Sequence, residues 1–181
     1  MTTTLETTPL ASRTIVNPVI RDSVSFVELS SETGGMYSWV RIYLAPGGSN
    51  ELHYHQRFEE TFTCVHGTLG LQVGTHTVEL SPGQSATAKA NEVHRFFNPS
   101  ADQPVMFDVM ITPGAPGFER MLQVAYGLAA DGLTNDKGIP KNPYHTALIV
   151  KWGDTNMPGV LSLLEPVLRW MAARAEKNGM A

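Results

Sequence analysis

The stretch from Gly47 to Gly67 reads GGSNELHYHQRFEETFTCVHG, and the rest of the chain is interpreted outward from it. Successive residues of a β-strand point to opposite faces, so His53 and His55 would direct both imidazoles to one side of a sheet. Two neutral imidazoles held side by side suit a borderline divalent metal ion, and Glu60 would supply a hard, anionic third ligand. Because a His-x-His pair alone is weak evidence, a metal site also needs support from elsewhere in the chain.

That support comes from a second histidine-bearing stretch, which begins at Pro82-Gly83 and contains His94 and Asn98. The first stretch, Gly47-x5-His53-x-His55-x4-Glu60-x6-Gly67, resembles the first motif of the cupin superfamily at every specified position. The second cupin motif is Gly-x5-Pro-x-Gly-x2-His-x3-Asn, and its Gly, His and Asn are present in register. The chain therefore resembles a cupin.

The second motif departs from the usual cupin pattern at two positions, because Lys89 stands in place of Pro and Asn91 in place of Gly. Lys89 removes only a rigid turn residue. Asn91 preserves more of the motif, since Asn tolerates the left-handed backbone conformation that a turn glycine often supplies.

The resemblance implies an all-β fold, the double-stranded β-helix or jelly-roll barrel of cupins, followed by a helical C-terminal extension. It also implies the metal ligands, which are His53, His55, Glu60 and His94. Glu59 is a second carboxylate, but only Glu60 preserves the six-residue gap to Gly67. Without a metal, three buried imidazoles and a carboxylate would lose hydration with no compensating partner.

The composition describes an ordinary globular protein: 181 residues, 42% hydrophobic and 17% charged. This length predicts one domain, and a net charge of -4 argues against a general nucleic-acid binder. The single cysteine, Cys64, cannot form an internal disulfide. No apolar run reaches the roughly 18 residues of a membrane span, and the N-terminus does not have the pattern of a secretory signal. We therefore expect a cytoplasmic protein.

The pattern along the chain predicts three parts. Residues 1–20 form an N-terminal arm whose first 12 residues fray, residues 21–115 form the barrel, and residues 116–181 form the helical extension. Residues 36–44 alternate as a strand, with Val40 and Ile42 on one face and Arg41 on the other. In the extension, residues 118–130 have helical spacing, whereas periodicity does not decide between strand and helix for residues 144–152.

A later apolar segment begins at Pro158, and its interior Pro166 should kink or split it. Val160, Leu161, Leu164, Leu168 and Met171 would share one helical face. The extension could cover the barrel, form the interface of a homodimer, or lie on a membrane through Trp170 and nearby basic residues. Packing on the barrel or on a partner is the preferred interpretation.

Several other chemically active side chains have structural interpretations. Cys64 is expected to be a small buried hydrophobe, and Asn98 a structural hydrogen-bonding residue. His66 and His76 lie beside turn glycines and should be exposed. Arg41, between aromatic residues, is interpreted as an arginine of the barrel surface.

Three functions remain open. The first is a mononuclear metal-dependent dioxygenase, in which Glu60 also takes a proton, as resemblance to quercetinase-like dioxygenases implies, and in which Phe62 and Phe96 line an apolar substrate pocket. The ion would be one divalent metal among Fe, Mn, Ni, Cu and Zn. The second is a non-enzymatic module that senses or stores a metal or small ligand. The third is an isomerase of a sugar or small acid, which needs an acid/base pair that Tyr37, Tyr43 and His145 cannot be shown to supply.

Overall fold

A computed structural model describes residues 13–180 of the chain. The fraying expected for residues 1–12 lies outside the described residues. Nine strands precede three α-helices in this part of the chain. The strands are β1 (Thr14–Asn17), β2 (Asp22–Glu28), β3 (Ser38–Leu44), β4 (Glu59–His66), β5 (Leu69–Val73), β6 (His76–Leu80), β7 (Ser85–Ala88), β8 (His94–Phe97) and β9 (Val105–Thr112). The helices are α1 (Pro116–Ala130), α2 (Pro143–Trp152) and α3 (Glu165–Lys177).

The strands form two antiparallel sheets, one in the order β1-β2-β3-β9-β4-β7 and one in the order β6-β5-β8. A single hydrophobic core contains side chains from both sheets, including Val40, Phe62, Leu71 and Phe107. This arrangement is the predicted all-β double-stranded β-helix with a helical C-terminal extension. Strand β1 lies within the predicted N-terminal arm and pairs with β2.

Strand β3 shows why the alternating pattern was informative. Val40 and Ile42 are buried, while Arg41 lies on the outer face. There it faces Asp108 of β9, and the guanidinium donates two hydrogen bonds of 2.7 and 2.9 Å to that carboxylate. Arg41 is therefore a surface arginine, as predicted, with a partner that its own strand did not reveal.

Helix α1 packs on the barrel, because Phe118, Leu122 and Tyr126 belong to the barrel core. The segment that periodicity left undecided is helix α2, whose start is capped by the Asn142 side chain accepting from the Tyr144 N–H. Helices α2 and α3 share a smaller apolar cluster built from Ala147, Leu148, Ala172 and Ala175. None of the helices in residues 13–180 is long and apolar enough to cross a membrane.

The segment that contains Pro166 is split into two helical pieces, as predicted. A 3-10 turn spans Gly159–Leu164, and α3 follows with Pro166 in its first turn. The prediction of a single apolar face for this segment was wrong, although the side chain of Leu161 lies outside the described part of the structure. Val160 and Leu164 are exposed, whereas Leu168 and Met171 pack against the small cluster between α2 and α3. The 3-10 turn has three residues per turn, so its side chains leave the stripe that an α-helix would continue.

Candidate metal centre

The three predicted histidines meet because the loop before β4 runs alongside the start of β8. His53 and His94 form an antiparallel bridge, in which the His53 N–H donates to His94 O at 3.1 Å and the His94 N–H donates to His53 O at 2.8 Å. His55 lies two residues further along the same loop, and Glu60 lies at the start of β4. One donor atom from each of these four residues lies within 4.8 Å of the other three.

This spacing is close to what one ion requires. Two nitrogen or oxygen ligands each about 2.1 Å from an ion can be up to about 4.2 Å apart. A contraction of well under 1 Å would therefore bring the widest pair into bonding range. His55, Glu60 and His94 are buried, while His53 is partly exposed and forms the side of the cluster nearest to solvent.

Backbone carbonyl groups select the ring nitrogen that His53 and His94 present to the cluster. His53 Nδ1 lies 2.9 Å from Glu51 O, and His94 Nδ1 lies 2.8 Å from Glu92 O. A carbonyl only accepts hydrogen bonds, so each Nδ1 carries the proton and donates it. Nε2 is the atom left to face the centre of the cluster.

His55 follows the same rule with a distant partner. Its Nδ1 donates to Gly153 O at 3.0 Å and Asp154 O at 3.1 Å, in the segment after α2. Its Nε2 is buried and has no hydrogen-bond partner among the described residues. A buried lone pair without a partner is unfavourable, and coordination of a divalent metal would satisfy it.

The charge of Glu60 is set by its neighbours. Its Oε2 atom lies 2.8 Å from His94 Nε2 and 3.5 Å from His55 Nε2. Burial by itself raises the pKa of Glu60, but the two histidines outweigh burial and lower this pKa below its usual value. Glu60 is therefore ionised at neutral pH, as a metal ligand must be.

The histidines respond to burial in different ways. Burial lowers the pKa of His53 to about 4, so this ring is neutral at neutral pH. Burial also acts to lower the pKa of His94, but the hydrogen bond and charge of Glu60 outweigh it and raise the pKa above its usual value. The 2.8 Å contact between His94 and Glu60 requires a proton, which a metal ion bound at the same two atoms would replace. The four residues thus fit a divalent metal.

The predicted pocket residues lie on the core side of the cluster. Phe62 is 1% exposed, and its ring centroid is 6.0 Å from that of His94. Phe96 is partly buried and packs against Phe107, with 5.0 Å between ring centroids. Aromatic side chains therefore fill the barrel interior beside the cluster, so an approaching molecule would reach the four residues from the side of His53.

Three surface cavities of about 510, 210 and 260 Å³ lie elsewhere in the described structure, and none of the four clustered residues lines them. The cavity of 510 Å³ lies between the loop after His55 and the helical extension. Its lining includes Gln56, Arg57, Asp154 and Asn156.

The remaining predictions can be compared with the structure. Glu60 rather than Glu59 joins the cluster. Cys64 is 1% exposed, whereas His66 and His76 are exposed, as expected.

The second motif also behaves as the sequence indicated. Asn91 has a φ of 68°, the left-handed conformation for which the motif usually has glycine. Asn98 is structural, since its Nδ2 donates to Gln103 O at 2.8 Å and its Oδ1 accepts from the Ser100 N–H.

Two possible acid/base residues point elsewhere. Tyr37 donates a hydrogen bond of 2.6 Å to Glu28, and Tyr43 is exposed on the outer face of β3. The residues that sequence reasoning missed are those of the segment after α2, which contact His55. Their sequence, Gly-Asp-Thr-Asn, indicates only a loop, because pairing with a site about 100 residues earlier leaves no local pattern.

Comparison with known proteins places this geometry in a wider context. Residues 40–112 match the family model described as "Cupin domain". The solved structure of TT1209 from Thermus thermophilus is 25% identical with a TM-score of 0.50, and the match covers 60% of this chain and 98% of that chain. A predicted oxalate decarboxylase from Thermotoga maritima is 18% identical with a TM-score of 0.48, covering 51% of this chain and 80% of that one.

Another match is the structure of a sugar phosphate isomerase of a cupin superfamily from Silicibacter pomeroyi. It is 26% identical with a TM-score of 0.44, and the match covers 50% of this chain and 59% of that one. No curated protein matches the sequence. The three structural matches cover between 50% and 60% of this chain.

Proposed function

Since residues 40–112 match the cupin-domain family model, we propose that this protein binds one divalent transition-metal ion through His53, His55, Glu60 and His94 and uses it as a dioxygenase. The observation that carries the metal is the convergence of four donor atoms within 4.8 Å, one of them the unpartnered, buried Nε2 of His55. The proposed substrate is a small, oxygenated, apolar or aromatic molecule.

A redox-active divalent ion held by the three imidazoles and the carboxylate would supply Lewis acidity and chemistry with dioxygen. The side chains supply the rest. The three imidazoles hold the ion as neutral donors, and the partly exposed edge of His53 leaves access from solvent. Glu60, kept ionised by its neighbours, is the ligand that can receive a substrate proton at its carboxylate. In this proposal Phe62 and Phe96 form the apolar wall behind the cluster.

A second candidate is a metal-binding module without catalysis, and one observation favours it. Phe62 is 1% exposed and packs with Phe96 and Phe107 beside the cluster, so space for a large substrate on that side is restricted. An isomerase has less support, because Tyr37 and Tyr43, two of the three acid/base residues considered for it, lie away from the cluster.

The first prediction concerns metal content. We expect wild-type protein, purified without chelator or affinity nickel, to bind one divalent ion per chain. His53→Ala should lower the affinity by at least roughly 100-fold, since loss of a ligand exceeds the effect of losing an outer-shell partner. The measurement is elemental analysis together with competition against a chromophoric chelator.

His76→Ala is the matched control, because His76 is exposed on the β5–β6 hairpin and should leave binding unchanged. Oxygen uptake is then measured after anaerobic loading with each candidate metal, over a panel of flavonols, thiols and diketones. Uptake that disappears in His53→Ala supports the dioxygenase. Stoichiometric binding without uptake under any condition would support the module instead, and absence of binding would contradict both.

The cytoplasmic location, the small-molecule ligand and the homodimer expected from the sequence are also part of this proposal. The fold is compatible with a dimer because apolar side chains of the extension remain exposed.

A further inference from the structure

We propose that residues 153–156, the segment between α2 and the 3-10 turn, are a positioning strap that sets the metal affinity of the cluster by fixing the ring of His55. This inference rests on the proposed metal site, and it assigns a role to the C-terminal extension. The strap lies outside both histidine motifs and outside residues 40–112, which match the cupin family model.

The first connection is made to His55 itself. Its Nδ1–H is shared between Gly153 O at 3.0 Å and Asp154 O at 3.1 Å. These two acceptors hold the proton on Nδ1, so Nε2 keeps its lone pair, and they fix the plane of the ring. One face of the His55 ring also packs on Phe58, with 4.3 Å between ring centroids and an interplanar angle of 26°.

The second connection holds the strap against the loop that carries His55. The Asp154 carboxylate accepts hydrogen bonds from the Gln56 N–H at 2.7 Å and the Arg57 N–H at 2.9 Å. These are the two backbone amides directly after His55. Hydrogen bonds to a carboxylate are stronger than those to a neutral acceptor. The Asp154 side chain therefore anchors the strap to the backbone directly after His55.

The third connection closes the other end of the strap. Tyr54 and Asn156 form an antiparallel bridge, in which the backbone N–H of each residue donates to the carbonyl oxygen of the other with a nitrogen-to-oxygen distance of 2.9 Å. The Asn156 side chain donates a further bond of 2.8 Å to Asp154 O, one of the two acceptors of His55. His55 is thus enclosed by contacts on the residues before and after it.

The contrast with the other two histidines shows what the strap adds. His53 and His94 obtain their Nδ1 acceptors locally, from the carbonyl two residues earlier in the chain. His55 takes its acceptors from residues 98 and 99 positions away. Displacement of the strap would therefore release one ligand of the four and leave the others oriented.

Hydrogen bonds hold the strap on the side of His55, and Gly153 at its start is buried close to Met121 of α1. The 510 Å³ cavity lies behind the strap and is lined by Asp154 and Asn156. Asp154 has a φ of 49°, a left-handed conformation that is uncommon for residues other than glycine and that Asn and Asp adopt more readily than others. A conformation of this kind persists only when its contacts determine it, so loss of the carboxylate should loosen the strap.

The experiment compares Asp154→Gly, Asp154→Asn and Glu176→Gln. Glycine accepts the left-handed conformation but removes the carboxylate, whereas asparagine keeps both the conformation and one acceptor oxygen. Glu176 lies on α3, pairs with Lys151 and does not touch the strap, so its variant controls for changes in the extension. Asn156→Ala is a second strap variant in case Asp154→Gly does not fold, as judged by circular dichroism.

Two measurements are made. In the metal-free protein, ¹⁵N chemical shifts of the His55 ring report the tautomer, and we expect Nδ1-protonated His55 in wild type and a mixture in Asp154→Gly. Competition with a chelator then gives the Zn²⁺ affinity, which should fall about 10- to 100-fold in Asp154→Gly, as for outer-shell partners of other metal sites. Asp154→Asn should recover most of this loss, and Glu176→Gln should match wild type.

The outcomes separate the strap from the metal site. If wild type binds neither Zn²⁺ nor any other candidate divalent ion, the proposed function fails, while the tautomer measurement still tests the strap. If wild type binds and folded Asp154→Gly binds within twofold of it with an unchanged tautomer, the strap proposal is overturned and the metal site stands. Equal losses in Asp154→Gly and Glu176→Gln would also overturn it, because they would indicate a general effect of the extension.

Discussion

At the scale of single residues, the cluster shows how a main chain can determine which atom of a side chain is available for binding. Histidine has two ring nitrogens, and a hydrogen bond from one of them decides which can act as a ligand. At His53, His55 and His94 the acceptor is in every case a backbone carbonyl. Carbonyl positions are set by the fold, so the orientation of the donors follows from the backbone. Histidine spacing alone cannot specify it.

Asp22 offers a prediction that is independent of any metal. Burial raises its pKa to about 6 from 3.8, although the hydrogen bond donated by Tyr126 acts in the opposite direction. A raised pKa in the folded state stabilises the fold below about pH 4, and this contribution is lost as the pH rises through about 6. In Asp22→Asn the ionisation is absent. We expect the free energy of unfolding of this variant, relative to wild type, to rise by up to about 3 kcal/mol between pH 4 and pH 7.5.

Urea unfolding of both proteins across this pH range provides the measurement. Asp136→Asn is the control, because Asp136 is exposed. The difference in free energy of unfolding between this variant and wild type should not change with pH. A flat difference for Asp22→Asn as well would show that Asp22 is not buried in its charged form.

At the scale of elements, helix α1 is attached to the barrel by a buried carboxylate. Glu119 lies in the first turn of α1, where a negative charge favours the N-terminal end of a helix. The structure shows a more specific contact, in which Glu119 Oε1 accepts from the Ser30 N–H and the Ser38 hydroxyl, both at 2.6 Å. Glu119 therefore connects α1 to β3 and to the turn that precedes it.

Glu119→Ala should lower the free energy of unfolding by about 2–4 kcal/mol, because it leaves the buried Ser30 N–H without its acceptor and opens a cavity. Glu119→Gln keeps an acceptor oxygen and should cost about 1 kcal/mol. Chemical denaturation measures both values. Gln123→Ala, on the exposed face of the same helix, should stay within about 0.5 kcal/mol of wild type. Equal stability of Glu119→Ala and Gln123→Ala would contradict this assignment.

Elements differed in how well the sequence predicted them, and the reason is the range of the contacts that form them. Strand β3 was predicted because its buried and outward faces have different chemistry, with Val40 and Arg41 as successive residues. The four clustered donors were identified through their motifs, whose spacing reflects the barrel. Helix α2 has apolar residues on several sides, so periodicity did not distinguish it from a strand. The contacts of Asp154 with Gln56 and Arg57 join residues almost 100 positions apart, and no local pattern encodes them.

At the scale of the whole molecule, the barrel together with α1 forms one apolar core, and α2 and α3 form a second, smaller one. Helix α1 belongs to the barrel core, whereas α2 and α3 pack on each other around Ala147 and Ala172. The strap joins the second unit to the first through hydrogen bonds to the loop that carries His55. The extension thus covers part of the metal centre with one surface. The outward surface of its last segment remains apolar.

That outward surface predicts self-association. Val167 and Trp170, three positions apart on α3, are 53% and 60% exposed, and Leu163 in the preceding 3-10 turn is 75% exposed. Soluble monomers rarely expose contiguous apolar surface of more than a few hundred Å². Charges of both signs border this surface, including the Arg169–Glu165 pair, which suits a second copy better than an anionic membrane. We therefore expect an isologous homodimer whose two-fold axis passes through this face.

Sedimentation equilibrium should give about twice the chain mass of 19.8 kDa for wild type, and Trp170→Glu should shift the protein to the monomer because each interface would bury two unpaired carboxylates. Met36→Glu is the matched control, since Met36 is 67% exposed but belongs to the turn before β3, far along the chain from α3. It should sediment as wild type. If Trp170→Glu still sediments as a dimer, the interface must lie on another surface of the molecule. A wild-type monomer that pellets with anionic vesicles would instead assign this face to a membrane, because the same exposed tryptophan would then be buried by lipid.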